Sequence, residues 1–284
     1  MDIMQIGIVG NGFVGKTLLS LKCDDIDVLA YDANPQSCYP VPNLKLADLM
    51  GCDLIFISVP TPMNPDGSCH LNIIISVVEE LERLQYGGFV VLRSTIPVGT
   101  CDKLKVFFMP EFLTEKNFLE DFRNNKNWFF GVLESERDDS FKQRIGELFH
   151  LAFKNDKIVY NNLHFMTNGE AEMIKLFRNC FLSVKVSFCN EIYDYCVAKN
   201  LNYDSVRSLA CADERIGLSH TSVPGHDGMR GFGGTCFPKD TASLLHDMKI
   251  HGVQSRILDA AIERNNTQDR PAQDWKLDKG RAVI

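Results

Sequence analysis

A doubly wound α/β domain followed by a helical one is the fold class that this 284-residue sequence predicts. Three observations carry the prediction. Short, continuous apolar runs alternate with helical stretches through the first half, as strands buried on both faces of a parallel sheet do. The first run opens directly into Gly10-Asn11-Gly12-Phe13-Val14-Gly15, a glycine turn between a strand and a helix. The alternation stops near residue 165, where one long helical stretch begins.

The elements follow in order. Gln5-Ile6-Gly7-Ile8-Val9 is the first strand, with a helix from about Phe13. Val28-Leu29-Ala30-Tyr31 is the second and ends at Asp32. Leu54-Ile55-Phe56-Ile57-Ser58-Val59 is the third, apolar on both faces. Phe89-Val90-Val91-Leu92 comes after a helix over residues 71–84. Val106-Phe107-Phe108-Met109 and Trp128-Phe129-Phe130-Gly131-Val132-Leu133 complete the set. Residues 168–199 then read as a single helix without proline. Met173, Phe177, Cys180, Phe181, Val184 and Phe188 mark one apolar face, and Leu182, Val186 and Cys189 make another side apolar. A helix apolar nearly all round is expected to be buried, here at a subunit interface that would make the chain a homodimer. Further helices are expected over residues 203–211, 238–250 and 254–264, with a Gly-rich loop over 219–235. The division is 1–165 for a Rossmann-like dinucleotide domain, 166–266 for a helical central domain, and 267–284 for a polar tail.

Composition sets the outer limits. Apolar residues make up 45% and charged residues 24%, as in ordinary globular chains. No apolar run approaches the roughly 18 residues of a spanning helix, so no membrane is expected. The net charge of −7 argues against nucleic acid as a partner. No pair among the ten cysteines is spaced C-x-x-C, so no zinc motif is read and no metal is expected. With no secretory signal at the N-terminus, the thiols are expected to be free in a reducing compartment, the cytoplasm.

Gly10, Gly12 and Gly15 fit a turn that lets a pyrophosphate approach the backbone at a helix start. Asp32, at the end of the second strand, would accept hydrogen bonds from the adenosine ribose. Its charge would repel a 2′-phosphate, which selects NAD over NADP.

Gly231-Phe232-Gly233-Gly234-Thr235-Cys236-Phe237-Pro238-Lys239-Asp240 is the most informative segment. Pro238 suits the first position of a helix, so Cys236 lies just before a helix N-terminus, where the dipole favours thiolate. Lys239 adds positive charge. A cysteine beside a glycine turn can also be structural, but these surroundings favour a reactive thiol.

This segment resembles the nucleotide-sugar dehydrogenases, the UDP-glucose/GDP-mannose 6-dehydrogenase family. Further similarities run in the family's order: the Gly10 to Gly15 turn; Ser58-Val59-Pro60-Thr61-Pro62; Ser94-Thr95-Ile96-Pro97-Val98-Gly99-Thr100; Pro110-Glu111-Phe112-Leu113-Thr114-Glu115; Lys175 and Asn179; and Arg215-Ile216-Gly217. The resemblance implies a four-electron oxidation of a sugar C6 alcohol to the carboxylate, with NAD as acceptor. UDP-glucose is the first reading of the substrate. GDP-mannose, another nucleotide sugar, or an NAD-binding interaction subunit of weak activity are the alternatives.

Roles are implied in the same way. Cys236 forms a thiohemiacetal and then a thioester. Glu111 is the base for thioester hydrolysis, with Thr95 and Asp240 positioning water. Lys175 and Asn179, one turn apart and facing the same way, stabilise the developing oxyanions. Gly10, Gly12, Phe13, Val14, Gly15, Asp32, Val59, Thr61, Thr95, Glu115 and Lys239 line the cofactor. Glu111, Phe112, Leu113, Glu115, Lys175, Asn179, Arg215, Phe232 and Gly233 line the substrate. Arg230, in an extended loop, would either contact nucleotide phosphates or only cap the site.

The sequence departs from the family's pattern in several places. Met109 stands where Asn usually precedes Pro-Glu-Phe-Leu, and Ser37 where a basic residue often follows the ribose-binding acid. The stretch between Thr100 and Pro110 is short, and that between Arg215 and Cys236 is long. Typical members continue into a second Rossmann-like domain that binds the nucleotide, and this sequence, ending at Ile284, is expected to be a short form without it.

Overall fold

A computed structural model describes residues 3–284. The chain divides into two compact units, Met1–Thr61 with Leu71–Lys175, and Pro62–His70 with Leu176–Ile284.

The first unit is built on strands β1 (Met4–Val9), β2 (Ile26–Tyr31), β3 (Leu54–Ile57), β4 (Phe89–Leu92), β5 (Phe107–Phe108), β6 (Asn127–Val132) and β7 (Asn162–Thr167). They form one sheet in the order β2-β1-β3-β4-β5-β6-β7. Strands β1 to β5 are mutually parallel. The direction of winding reverses between β1 and β3, and the crevice at such a switch point is where open α/β sheets take dinucleotides. Side chains alternate between faces. Leu54 and Phe56 join one core with Ile6, Ile8, Phe130 and Phe149, while Ile55 and Ile57 join the other with Val9, Leu92 and Phe108.

Helices cover both faces. α1 is Phe13–Leu19, α2 Asn72–Arg83, α3 Thr100–Leu104, α4 Phe118–Arg123 and α5 Asp138–Lys154. α2 buries Ile74, Val78 and Leu81, one stripe at helical spacing. α5 buries Phe141, Ile145, Leu148, Phe149 and Ala152. The sheet is mostly parallel, as expected, with one exception. β6 meets β5 antiparallel, through Phe108 and Gly131, and β7 runs parallel to β6. Sequence reading missed β7 because it is an edge strand with alternating exposure and polar residues, not an apolar run.

α6 (Asn168–Ala198) begins in the first unit and runs into the second. α7 (Tyr203–Ala210), α8 (Phe237–Ile250) and α9 (Arg256–Arg264) follow. α6 is not buried all round. Phe177, Phe181 and Phe188 are each 60% exposed, whereas the buried side carries small and polar residues, Cys180, Ser183, Ser187 and Asn190. The C-terminal residues are not a loose polar tail. A π-helical turn over Asn265–Asp269 continues α9, and Trp275, Ala282 and Val283 bury themselves with Met63. The Met63 N–H donates to the Ala282 carbonyl at 2.9 Å. No helix among the described residues is long and apolar enough to cross a membrane.

Candidate active site

The glycine turn follows β1. A methyl group on Gly10, whose φ is +90°, would lie 2.7 Å from the Ser58 carbonyl oxygen, and one on Gly15 would lie 2.1 Å from the Gly10 oxygen. These close approaches explain why both positions are glycine. A methyl on Gly12 would meet nothing within 4 Å, so the tip of the turn is open. Asp32, at the end of β2, accepts from the Asn11 N–H at 2.7 Å and the Asn34 N–H at 2.8 Å. A carboxylate has about four acceptor sites, which leaves capacity for ribose hydroxyls. Asn11 Oδ1 and Ser58 Oγ are buried without partners beside this turn. An open turn, a ribose-seeking acid and orphaned polar atoms fit a dinucleotide.

The ends of β3 and β4 are tied together. Ser94 Oγ donates to the Val59 carbonyl at 2.6 Å and Thr61 Oγ1 to the Thr95 carbonyl at 2.8 Å. Beyond β5, Glu111 and Lys175 are both buried. Lys175 Nζ donates to Glu111 Oε1 and to the Glu111 carbonyl, each at 2.7 Å. The Leu113 N–H donates to the other carboxylate oxygen at 2.9 Å. Burial pushes the Glu111 carboxyl up, but Lys175 and the Leu113 N–H together outweigh it and hold the group below the usual glutamate range. The Phe112 ring lies 5.7 Å from Lys175 Nζ. Phe13 opens α1 and packs edge-on with Phe118. Glu115 lies on an exposed loop before α4.

Two residues here escaped the sequence reading. Arg93 is fully buried at the end of β4 and donates to the Val14 carbonyl and Thr17 Oγ1, both at 3.0 Å. Burial lowers its pKa to about 10. A charged residue closing an apolar strand was the available signal. Glu172 of α6 accepts from the N–H groups of Gly99 at 2.5 Å and Cys101 at 2.8 Å, anchoring the loop that carries Thr95. Its partners are some seventy residues away, beyond the reach of local patterns.

In the second unit Cys236 is the N-cap of α8, with Phe237 first in the helix and Pro238 second. The Asp240 N–H donates to the Cys236 carbonyl at 2.9 Å. Asp240 is buried. Lys239 Nζ donates to its Oδ1 and Asn179 Nδ2 to its Oδ2, each at 2.6 Å. Burial lowers the Lys239 pKa, but the charges of Asp240 and Cys236 reverse the effect and raise it above the usual lysine range. Lys239, Asp240 and Asn179 therefore form one connected polar group, which meets Cys236 through its backbone carbonyl.

Arg215 is exposed and pairs with Asp213. Arg230, expected either to contact nucleotide phosphates or only to cap the site, is engaged by Asp194 at 2.7 Å and by Asp269 at 3.1 Å, an internal network that also holds Arg264. Phe232 is buried, with its backbone bonded at both ends to the Asn265 side chain. Gly233 lies against the Arg270 guanidinium.

A glycine turn at the end of β1 and an acid at the end of β2, in an open α/β sheet, define a dinucleotide-binding α/β protein. Residues 42–151 match the NAD binding domain, and residues 169–267 the central domain, of the UDP-glucose/GDP-mannose dehydrogenase family. The chain belongs to that family. It is 32% identical over 238 residues to a UDP-glucose 6-dehydrogenase of Pseudomonas aeruginosa, covering 78% of this chain and 50% of that protein. It is 28% identical over 307 residues to the UDP-glucose 6-dehydrogenase TuaD of Bacillus subtilis, covering 93% of this chain and 63% of that one. The chain thus spans about half to two-thirds of these relatives. A UDP-glucose dehydrogenase structure from Pyrobaculum islandicum superposes with a TM-score of 0.80 at 25% identity, covering 98% of this chain and 72% of that one. A GDP-mannose dehydrogenase from Pseudomonas aeruginosa, at 0.65 and 23% identity over 97% and 71% of the two chains, shares the fold.

Proposed function

We propose that the chain is an NAD-dependent nucleotide-sugar 6-dehydrogenase that converts the C6 alcohol of UDP-glucose to the carboxylate of UDP-glucuronate. The observation that carries this reading is Cys236 at the N-cap of α8, in the turn that also carries Lys239 and Asp240, with Asp240 bonded to Asn179. The names of these relatives support the choice of substrate.

The turn from Gly10 to Gly15 and Asp32 would hold the cofactor. NAD, when bound, supplies the two-electron acceptor for each of two oxidations, alcohol to aldehyde and thiohemiacetal to thioester. The protein's own groups do the rest. The Cys236 sulfur adds to the aldehyde carbon, and the carbonyl oxygen takes a proton. Lys175 and Asn179 hold the C6 oxygen as charge develops on it. Lys175 does so by exchanging one of its bonds to Glu111. That exchange frees the Glu111 carboxylate to take a proton from water attacking the thioester. Thr95 and Asp240 orient that water. The C–S bond then breaks and returns the thiolate.

The exposed stripe of Phe177, Phe181 and Phe188 supports a homodimer packed through α6. The chain would work in the cytoplasm, where its thiols stay reduced. Absorbance at 340 nm, followed with NAD and a panel of sugar nucleotides, tests the reading. UDP-glucose should give the highest kcat/KM and a carboxylate product. Absence of cofactor reduction with every sugar nucleotide would overturn it.

A further inference from the structure

The loop that carries Cys236 is gripped immediately upstream by residues of the C-terminal segment. Asn265 is fully buried at the start of the π-helical turn. Its Oδ1 accepts from the Phe232 N–H at 2.8 Å and its Nδ2 donates to the Phe232 carbonyl at 3.0 Å, so one side-chain amide pairs with both backbone groups of one residue. Arg270, just beyond the turn, is equally fixed. Nε and Nη2 donate to the two oxygens of Asp274 at 2.5 and 2.7 Å, and Nη1 donates to Asp227 Oδ2 at 2.6 Å. This fork holds the guanidinium against Gly233, where an added methyl group would lie 2.4 Å from Arg270 Cζ. Downstream, Cys236 is fixed as the N-cap of α8. Between the grip and the cap only Gly234 and Thr235 remain, and Gly234 has φ +72° with open space around it.

We infer that Arg270, together with Asn265, positions Cys236 by clamping the Phe232–Gly233 peptide, so that the nucleophile is presented from a frame fixed on both sides. The inference rests on Cys236 being the nucleophile. π-turns inserted in helices occur frequently at functional sites, and here the turn brings Asn265 and Arg270 to one strip of backbone. The Arg270 N–H closes the turn on the Asn265 carbonyl at 2.8 Å, which couples the two grips. Arginine suits the role because its planar fork engages Asp274 with two donors while a third reaches Asp227. Lysine has no such fork and would leave Gly233 uncovered. Displacement of a reacting group by an ångström costs about 100-fold in rate.

The test compares Arg270→Lys, Gly233→Ala and the double variant with the parent, using UDP-glucose and NAD. Each single variant should lose kcat by about 10–100-fold with KM changed less than about threefold. The double variant should lose less than the product of the single effects, because lysine vacates the space that the new methyl group enters. Iodoacetamide labelling, read by peptide mass spectrometry, serves as the control. Cys236 should be alkylated within about threefold of the parent rate, with Cys52 and Cys101 still protected. Positioning, rather than thiol chemistry or folding, is then what has failed. Parent-like kcat in both single variants would overturn the inference, as would labelling of the buried cysteines in step with the loss of kcat in both. Failure of the underlying reading is distinguishable: in that case Cys236→Ala would itself keep parent activity.

Discussion

Lys175 and Glu111 form a buried ion pair in which one ammonium group bonds both the carboxylate and the backbone carbonyl of the same residue, each at 2.7 Å. Side-chain exposure is 4% for the lysine and 7% for the glutamate. Breaking such a pair from one side leaves a charge in a poorly solvated place, at a cost of about 3–5 kcal/mol.

Replacing Glu111 with Gln should therefore destabilise the fold by about that amount at neutral pH. The sign of the pH dependence follows from the depressed pKa of Glu111. The carboxylate's contribution is complete above its ordinary value of 4.5 and is lost as pH falls through the lower folded value. The gap between parent and Glu111→Gln should thus narrow on acidification below 4.5. Urea denaturation at a series of pH values measures it, and a gap independent of pH would contradict the assignment.

Asp32 should set cofactor choice. A carboxylate facing the ribose should favour NAD over NADP by about 100-fold in kcat/KM, as like charges brought together cost several kcal/mol. Asp32→Ser should bring the ratio within about tenfold, with about 1 kcal/mol of stability lost through weakened bonds to the Asn11 and Asn34 N–H groups. Steady-state kinetics with both cofactors check the first point and thermal melting the second.

Phe177 and Phe181 stack with parallel rings, their centroids 6.2 Å apart, on the exposed side of α6. If this stripe is the dimer contact, Phe181→Glu should raise the dimer dissociation constant about 30-fold or more, the scale of a lost interface hot spot. Light scattering across a dilution series would report it. An unchanged molar mass would move the contact elsewhere.

What the sequence disclosed follows from how local each signal was. β1 to β4 were legible because strands buried on both faces leave unbroken apolar runs. The turn at Gly10 and the cap at Cys236 were legible because their chemistry needs fixed residue types within a few positions. β7 was hidden by its half-exposed edge. The apolar residues of α6 were legible, but hydrophobicity alone does not say which side of a helix faces its own chain. The ion pairs of Arg230 left no local trace, since its partners Asp194 and Asp269 are each more than thirty residues away. Arg93, Glu172, Asn265 and Arg270 act on distant backbone groups, and no spacing in the chain announces such contacts.

The most direct test of covalent catalysis is the product balance of Cys236→Ala against the parent, with UDP-glucose and excess NAD. The parent should reduce two NAD per sugar nucleotide and release only the carboxylate. Cys236→Ala should fold, bind NAD as the parent does and form no carboxylate. Carboxylate released by Cys236→Ala at the parent's rate, with the same two-to-one balance, would contradict the account.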